Sequence, residues 1–276
     1  MSSINVILPT YRPGAYIYEC IDSVAQQQCD AAPFTYHLDI ILNGDKEPYF
    51  SEISTYITVH RVNATITYTD IKGVSNARNM GIELSSDYDY IAFIDDDDLF
   101  EENYLSELHG ALKGKPNAIA HSLIKYLGEN GISENYTVNN LVRHLSEDGT
   151  RYTPFRYRKL LNSACSKLYP LELIGNDMRF DTSLKFSEDS LFVFDLTRKI
   201  KEIVLVPTTA YVVREREGSA TRTKYSARAL VKRSILFIKK LTATYFSAHQ
   251  KYSFLLYMSR ALGRIKAAYF NWCHNK

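Results

Sequence analysis

Apolar runs and amphipathic stretches alternate through the first hundred residues of the chain. Ile4-Asn5-Val6-Ile7-Leu8 predicts a strand that Pro9 ends, and Ile17, Cys20, Ile21 and Val24 follow at helical spacing. Leu38-Asp39-Ile40-Ile41-Leu42 predicts a second strand, closed by Asn43-Gly44-Asp45, and Ile66-Thr67-Tyr68 a short third one. A turn at Lys72-Gly73 leads into a helix from about Asn76 to Leu84. Tyr90-Ile91-Ala92-Phe93-Ile94 is then a fourth strand, apolar on both faces as a buried strand is. This order predicts an α/β fold, with a mostly parallel sheet, right-handed crossovers and flanking helices.

The later pattern is less regular. A strand is expected from Ala118 to Leu127, loop and short helix after Gly128, a helix from Leu184 to Ile200, and a strand at Ile203-Val204-Leu205-Val206 that stops at Pro207. Beyond Gly218-Ser219, Leu230, Ile235, Ile238 and Leu241 recur at helical spacing among Arg228, Lys232, Arg233, Lys239 and Lys240, and a second basic apolar segment runs from Tyr252 to Phe270. The expected organisation is an α/β body over 1–221, with halves 1–112 and 113–221, and a basic amphipathic helical region over 222–276.

Directly after the fourth strand stand four acids, Asp95-Asp96-Asp97-Asp98. They fall at the strand's carboxyl end, where open α/β sheets bind ligands. Like charges this close raise one another's pKa or require a cation. A hard divalent ion, Mn²⁺ or Mg²⁺, bound by oxygens and shared with a substrate phosphate, resolves the repulsion. Asp98, Glu101 and Glu102 are assigned instead to the first turn of a helix that Leu105, Leu108 and Leu112 continue, where acids favour the dipole.

The bulk properties restrict the partners. The chain has 276 residues, 45% hydrophobic and 23% charged, ordinary values for a globular protein. It shows no signal-peptide pattern and no apolar stretch approaching the ~20 residues that span a bilayer. Cys20, Cys29, Cys165 and Cys273 form no CxxC pair and no zinc spacing, which predicts reduced thiols and a cytoplasmic chain. The net charge of +2 hides an asymmetry: residues 1–213 carry 19 Lys+Arg against 29 Asp+Glu, and residues 214–276 carry 14 against 2. The basic region is suited to an anionic membrane surface. Alternatively its apolar faces pack on the body or on a second protomer as a homo-oligomer. No zinc, helix-turn-helix or RNP pattern accompanies the charge, so nucleic acid is not expected.

Six segments, in order, resemble the motifs of family 2 inverting glycosyltransferases with the Rossmann-like GT-A fold. They are Pro9-Thr10-Tyr11-Arg12; Gly73-Val74-Ser75-Asn76-Ala77-Arg78-Asn79-Met80-Gly81-Ile82; Phe93-Ile94-Asp95-Asp96-Asp97-Asp98; Ser166-Lys167-Leu168-Tyr169; Phe186-Ser187-Glu188-Asp189-Ser190-Leu191-Phe192; and Arg214 through Thr221. The resemblance implies transfer of a sugar from a nucleotide-sugar, with UDP favoured, to a hydroxyl of a glycan or lipid-linked acceptor, as in surface-polysaccharide or lipopolysaccharide synthesis. By resemblance Pro9, Thr10 and Tyr11 cradle the nucleoside, and Arg78 approaches the nucleotide or else pairs with a nearby acid. Asp95, Asp96 and Asp97 form a D-x-D motif, with Asp97 binding the metal and Asp95 contacting ribose or the ion. Asp189 matches the catalytic base, with helix capping as the competing role, and Glu188 supports loop or acceptor geometry. Lys167 lies near the acceptor or is a plain surface lysine. Arg214 and Arg216 reach the diphosphate, or belong to a solvated basic segment. Asn76 and Asn79 either meet the ligand or cap their helix.

One segment departs from the family pattern. The second strand ends in Asn43-Gly44-Asp45 where an Asp usually reads the base; Asn43 can donate and accept hydrogen bonds, and Asp45 is the alternative reader. Two other functions compete with glycosyl transfer. A nucleotidyltransferase making a sugar-nucleotide also pairs strand-end acids with Mg²⁺, but needs a Gly-rich basic loop that Pro9-Thr10-Tyr11-Arg12-Pro13 lacks. A catalytically idle, membrane-associated scaffold would not need Asp97 and Asp189.

Overall fold

The computed structural model describes residues 1–28, 34–148, 151–216 and 226–274. The first half alternates as the pattern predicts: β1 (Ser2–Thr10), α1 (Tyr16–Ala25), β2 (Phe34–Asn43), α2 (Tyr49–Val59), β3 (Ala64–Thr69), α3 (Val74–Leu84) and β4 (Tyr90–Phe93). Then come β5 (Leu99–Phe100), α4 (Tyr104–Leu112), β6 (Ala118–Gly128), β7 (Gly131–Glu134), α5 (Tyr136–Glu147), β8 (Lys167–Pro170), α6 (Leu171–Ile174), α7 (Glu188–Leu196) and β9 (Glu202–Arg214). Two long helices follow, α8 (Ala227–Ser247) and α9 (Phe254–His274).

One sheet runs in the order β3-β2-β1-β4-β8-β6-β9-β5, with β7 paired to β6. The strands β1 to β4 are mutually parallel, while β8 is antiparallel to both β4 and β6, so the expected parallel character holds in the nucleotide-type half and is interrupted in the other. The registers Ile7↔Phe93 and Thr10↔Leu42 bring Thr10, Asn43 and the acids after Phe93 to one edge of the sheet. Ile4, Val6, Ile7, Leu8, Ile91 and Phe93 are fully buried, each contributing roughly 1.5–3 kcal/mol. The helix α3 lies so close on this sheet that a Cβ at Gly81 would stand 2.4 Å from Ile7 Cγ2, which only glycine avoids.

Three local expectations change. The helix expected directly after Asp98 begins later, at Tyr104, because Leu99 and Phe100 pair antiparallel with Val212 and Tyr211. The strand expected to stop at Pro207 continues to Arg214: Ser122 pairs with Val206 and Leu123 with Ala210, so Pro207, Thr208 and Thr209 bulge out and the ladder resumes. The helix expected over 184–200 is confined to Glu188–Leu196, preceded by Ser187 at φ 62°, a left-handed conformation.

The two C-terminal helices pack on each other, and α8 also meets α7. Phe237, Leu241, Tyr245, Tyr252 and Leu256 are buried there, as the packing alternative requires, whereas Ile235, Phe246, Leu262 and Ile265 stay exposed. Among the described residues no helix is long and apolar enough to cross a membrane. The expected boundary at 221/222 and the Gly218-to-Thr221 part of the last motif lie outside the described residues. Cys20 and Cys165 are buried free thiols.

Candidate active site

The carboxyl ends of β1, β2 and β4 open onto a cavity of 770 Å³. Of the residues expected to act, Pro9, Thr10, Tyr11, Asn43, Arg78, Asp95, Asp96, Asp97, Glu188, Arg214 and Arg216 line it. Asp45, Lys167 and Asp189 do not.

The acids after β4 have four different environments. Asp95 accepts from Arg78 Nη2 at 2.7 Å. Asp96 accepts from Thr10 Oγ1 at 2.5 Å, and burial, with its neighbours Asp97 and Asp95 adding repulsion, pushes its carboxyl up to about 6. Asp97 pairs with Arg216 Nε. Asp98 is only 5% exposed; it accepts from Tyr211 Oη at 2.7 Å and from the Arg214 backbone N–H at 2.9 Å, and burial raises its pKa. Its assigned place in a helix's first turn is therefore corrected: Asp98 fastens β9 to the end of β4. Glu101 likewise accepts from the Ala210 backbone N–H at 2.8 Å and from Lys125 at 2.5 Å, and Glu102 from Gln28 at 2.9 Å, so neither serves a helix dipole.

Arg78 is the buried centre of the site. Its side chain is 3% exposed; Nη1 pairs with Asp189 and, at 3.3 Å, with Glu188, while Nη2 holds Asp95. Burial opposes its charge, but Asp189 and Asp95 outweigh that and keep it cationic. The expected ion pair with nearby acids is present, and Arg78 also lines the cavity. Asp189 is not a helix cap: its second oxygen accepts from the Ala164 backbone N–H at 3.4 Å. Burial raises its pKa against the pull of Arg78, and burial and Asp189 raise that of Glu188.

Several flanking residues differ from expectation. Lys167 is neither a surface lysine nor exposed to a ligand: it is 1% exposed, and Nζ donates to the Ser163 and Cys165 carbonyls at 2.7 and 3.2 Å. Burial pushes it down to about 7. Asn43 spends its amide internally, donating to the Thr10 carbonyl at 2.7 Å and accepting from Gly73 N–H at 2.9 Å, which fixes the two loops that meet at the cavity. Asp45 pairs with Arg12 and Lys72. Asn79 donates to the Phe180 carbonyl and accepts from its N–H, and Asn76 donates to the Lys72 carbonyl, so neither acts as a helix N-cap. Arg214 donates to the Asp97 carbonyl at 3.1 Å and to Glu19 at 2.6 Å. Tyr211 is a residue that sequence reasoning missed; its hydroxyl donates to Asp98 and accepts from the Asp95 backbone N–H at 3.1 Å. No local signal pointed to it, because the strand was expected to end at Pro207, four positions earlier.

The carboxylates suit a hard cation completed by a ligand. Arg78 takes one oxygen of Asp95 and Arg216 one of Asp97, leaving the second oxygen of each without a hydrogen bond among the described residues. Among the described residues no three His, Cys, Asp or Glu side chains are grouped to hold an ion. One or two carboxylates, with substrate phosphates completing the shell, is a common way for Mg²⁺ to be bound.

The chain is 27% identical over 251 residues to the minor teichoic acid biosynthesis protein GgaB of Bacillus subtilis, covering 90% of this chain and 27% of GgaB. It is 26% identical to the glycosyltransferase GlyG of Streptococcus pneumoniae, covering 87% and 79%. It thus spans about a quarter of GgaB's length, and 64% of that of EpsJ, a B. subtilis glycosyltransferase 25% identical to it. Among solved structures, Staphylococcus aureus TarS 1–349 with UDP-GlcNAc superposes with a TM-score of 0.66 at 19% identity, covering 87% of this chain and 66% of that one. A Pyrobaculum calidifontis mannosyltransferase with GDP-Man and Mn²⁺ superposes at 0.58 and 12% identity, covering 96% and 74%. These likenesses establish the expected GT-A fold. The sequence profile of glycosyl transferase family 2 matches residues 5–167, more than half of the chain, and the protein therefore belongs to the family 2 glycosyltransferases.

Proposed function

We propose that the protein transfers a sugar, with inversion, from a nucleoside-diphosphate sugar to a hydroxyl of a glycan or lipid-linked acceptor in cell-surface polysaccharide synthesis. The carrying observation is that Arg78 bridges Asp95, in the strand-end acids, and Asp189, on the first turn of α7. One residue thereby ties the donor's phosphate end to the group that takes the acceptor's proton. Pro9, Thr10 and Tyr11 cradle the nucleoside, and UDP is the favoured donor nucleotide, as in the TarS complexes with UDP and UDP-GlcNAc.

Asp97 and Asp95 are the residues that would hold Mn²⁺ or Mg²⁺. Such an ion, when bound, supplies charge neutralisation for the diphosphate leaving group. The chain's own residues do the rest. Arg216 and Arg214 approach the diphosphate with guanidinium forks, which match phosphate oxygens. Asp189 accepts the proton of the attacking hydroxyl; its raised pKa suits that task, and such help is worth about 10²–10⁴ in rate. Glu188 lines the cavity while Asp189 stands behind it, which gives a second reading in which Glu188 takes the proton. Cytoplasmic localisation, with the exposed apolar residues of α8 and α9 against an anionic inner-membrane surface, belongs to the same proposal.

A panel of UDP-, GDP- and CMP-sugars, assayed for nucleoside diphosphate or monophosphate release with Mn²⁺, Mg²⁺ or chelator, tests the reading. Metal-dependent release of UDP that Asp97→Ala abolishes is the expected result. Full activity after chelation, or in Asp97→Ala, overturns the metal role; no release from any sugar-nucleotide overturns the donor class. Loss of transfer in Asp189→Asn but not in Glu188→Gln supports Asp189 as the base, and the reverse assigns it to Glu188.

A further inference from the structure

A second cavity, of 320 Å³, lies where α9 meets the body of the protein. Arg260 and Arg264 of α9, Arg158 and Lys159 of the segment before β8, and Ser190 of α7 line it. Arg260 is 9% exposed. Its Nη2 donates to the Leu161 carbonyl, and Nη1 to Ser190 Oγ and, at 3.1 Å, to Asn162 Oδ1. Every one of these acceptors is neutral, and Nε is buried with no partner. Arg264 stacks on Phe186 and Phe237, with 4.8 Å to each ring centroid. Arg158 donates to the Phe155 carbonyl at 3.0 Å, and the ion pairs among the described residues all join other side chains than these four cations. Burial, with Arg264 nearby, pushes Arg260 down to about 10, so the guanidinium remains charged at neutral pH.

Buried arginines are normally paired, because an uncompensated charge in a protein interior is costly. Here two partly or wholly buried guanidiniums and two further cations surround open space. We propose that this cavity is a phosphate-group subsite, placed to bind a phosphate carried by the acceptor. The charge excess and the cavity support an oxyanion ligand. Its assignment to the acceptor rests on the reading of Asp189 as the base, since Ser190, which Arg260 contacts, is the next residue on α7. The basic C-terminal region then takes part in substrate recognition through α9. A lipid headgroup is the competing source of such a phosphate.

Inorganic phosphate binding, measured by calorimetry against chloride at equal ionic strength, tests the site. Saturable binding is expected in the wild type. Arg158→Gln and Arg264→Gln are each expected to weaken it by about ten-fold, the loss of one charge-assisted contact. Amide shifts of Asn162 and Ser190 on phosphate addition report the same event in the unaltered protein, should Arg264→Gln fail to fold. Flotation with phosphatidylglycerol against phosphatidylcholine vesicles separates the sources: binding that Arg158→Gln and Arg264→Gln abolish assigns the headgroup, and phosphate binding without flotation assigns the acceptor. Phosphate affinity unchanged in Arg158→Gln and Arg264→Gln, or no saturable binding and no shift at Ser190, overturns the proposal whether or not the protein releases a nucleoside diphosphate.

Discussion

Asp95 and Asp189 are held by the same guanidinium: Arg78 donates to Asp95 at 2.7 Å from one terminal nitrogen and pairs with Asp189 through the other. The acid after β4 and the acid on α7 are 94 positions apart in sequence, yet their separation is set by one rigid, planar group. A charge enclosed on this scale is retained where it positions other charges, because as a stabiliser it barely repays its desolvation.

Replacing Arg78 therefore separates charge from geometry. Arg78→Ala leaves Asp95, Glu188 and Asp189 without their shared cation and is expected to destabilise the fold by about 3–5 kcal/mol. Arg78→Lys keeps the charge but cannot serve both carboxylates in the same plane. It is expected to fold, with transfer lowered by about 10²-fold, the usual cost of a misplaced catalytic group. Thermal melts and donor-release rates on both variants check this; wild-type rates in Arg78→Lys would remove the bridging role.

Asp189→Asn keeps the size of the side chain and can still pack against Ala164. Transfer is expected to fall by about 10²–10⁴, with donor affinity unchanged. Because burial raises the Asp189 pKa, the wild-type kcat/KM is expected to fall as pH drops into the range where the carboxylate is protonated, further toward neutrality than an exposed aspartate would give. The pH–rate profile and the nucleotide affinity measured on the same preparation test the two halves. A profile flat on the acid side, or loss of donor affinity in Asp189→Asn, would argue against a base.

The contrast between what could and could not be read from the chain follows sequence separation. The runs Ile4–Leu8, Leu38–Leu42 and Tyr90–Ile94 declared β1, β2 and β4 because local apolar periodicity is decided by nearest neighbours. With those strands placed, the acids after Phe93 were bound to meet Thr10 and Asn43 at one sheet edge. The two-residue strand Leu99–Phe100 was not legible, since it exists only through pairing with Tyr211 and Val212 more than a hundred positions later. Pro207 hid that partner, because a strand that loops out three residues and resumes looks in sequence like a strand that ends. For the same reason Asp98 looked like a helix start. The burial of Lys167 and the pairing of Arg78 depend on tertiary neighbours, as do the contacts of Arg260, and no local pattern encodes them.

Tyr211 is a test of that long-range fastening. Its hydroxyl stands between the Asp95 backbone N–H and the buried Asp98 carboxylate. Tyr211→Phe removes a donor from a buried carboxylate, and is expected to cost about 1–3 kcal/mol. It also frees the backbone at Asp95, so transfer is expected to fall together with stability. Urea unfolding and donor-release rates measured side by side check the coupling; a destabilised variant with undiminished transfer would show that the fastening serves the fold alone.

Asp177 sets an acid limit on stability away from the site. Lys199 at 2.5 Å and Arg198 at 2.7 Å hold its carboxyl down to about 2, below the ordinary 3.8. A carboxylate depressed in the folded state binds protons more readily when unfolded, so its contribution is fully present above 3.8 and is lost as pH falls through about 2. The side chain is 52% exposed, so screening limits the contribution to within about 1 kcal/mol. Wild type is expected to melt above Asp177→Asn near neutral pH, with the difference shrinking toward pH 2 and in high salt. Melting curves over that range decide it: a difference that grows on acidification would mean that Asp177 is not held by these cations.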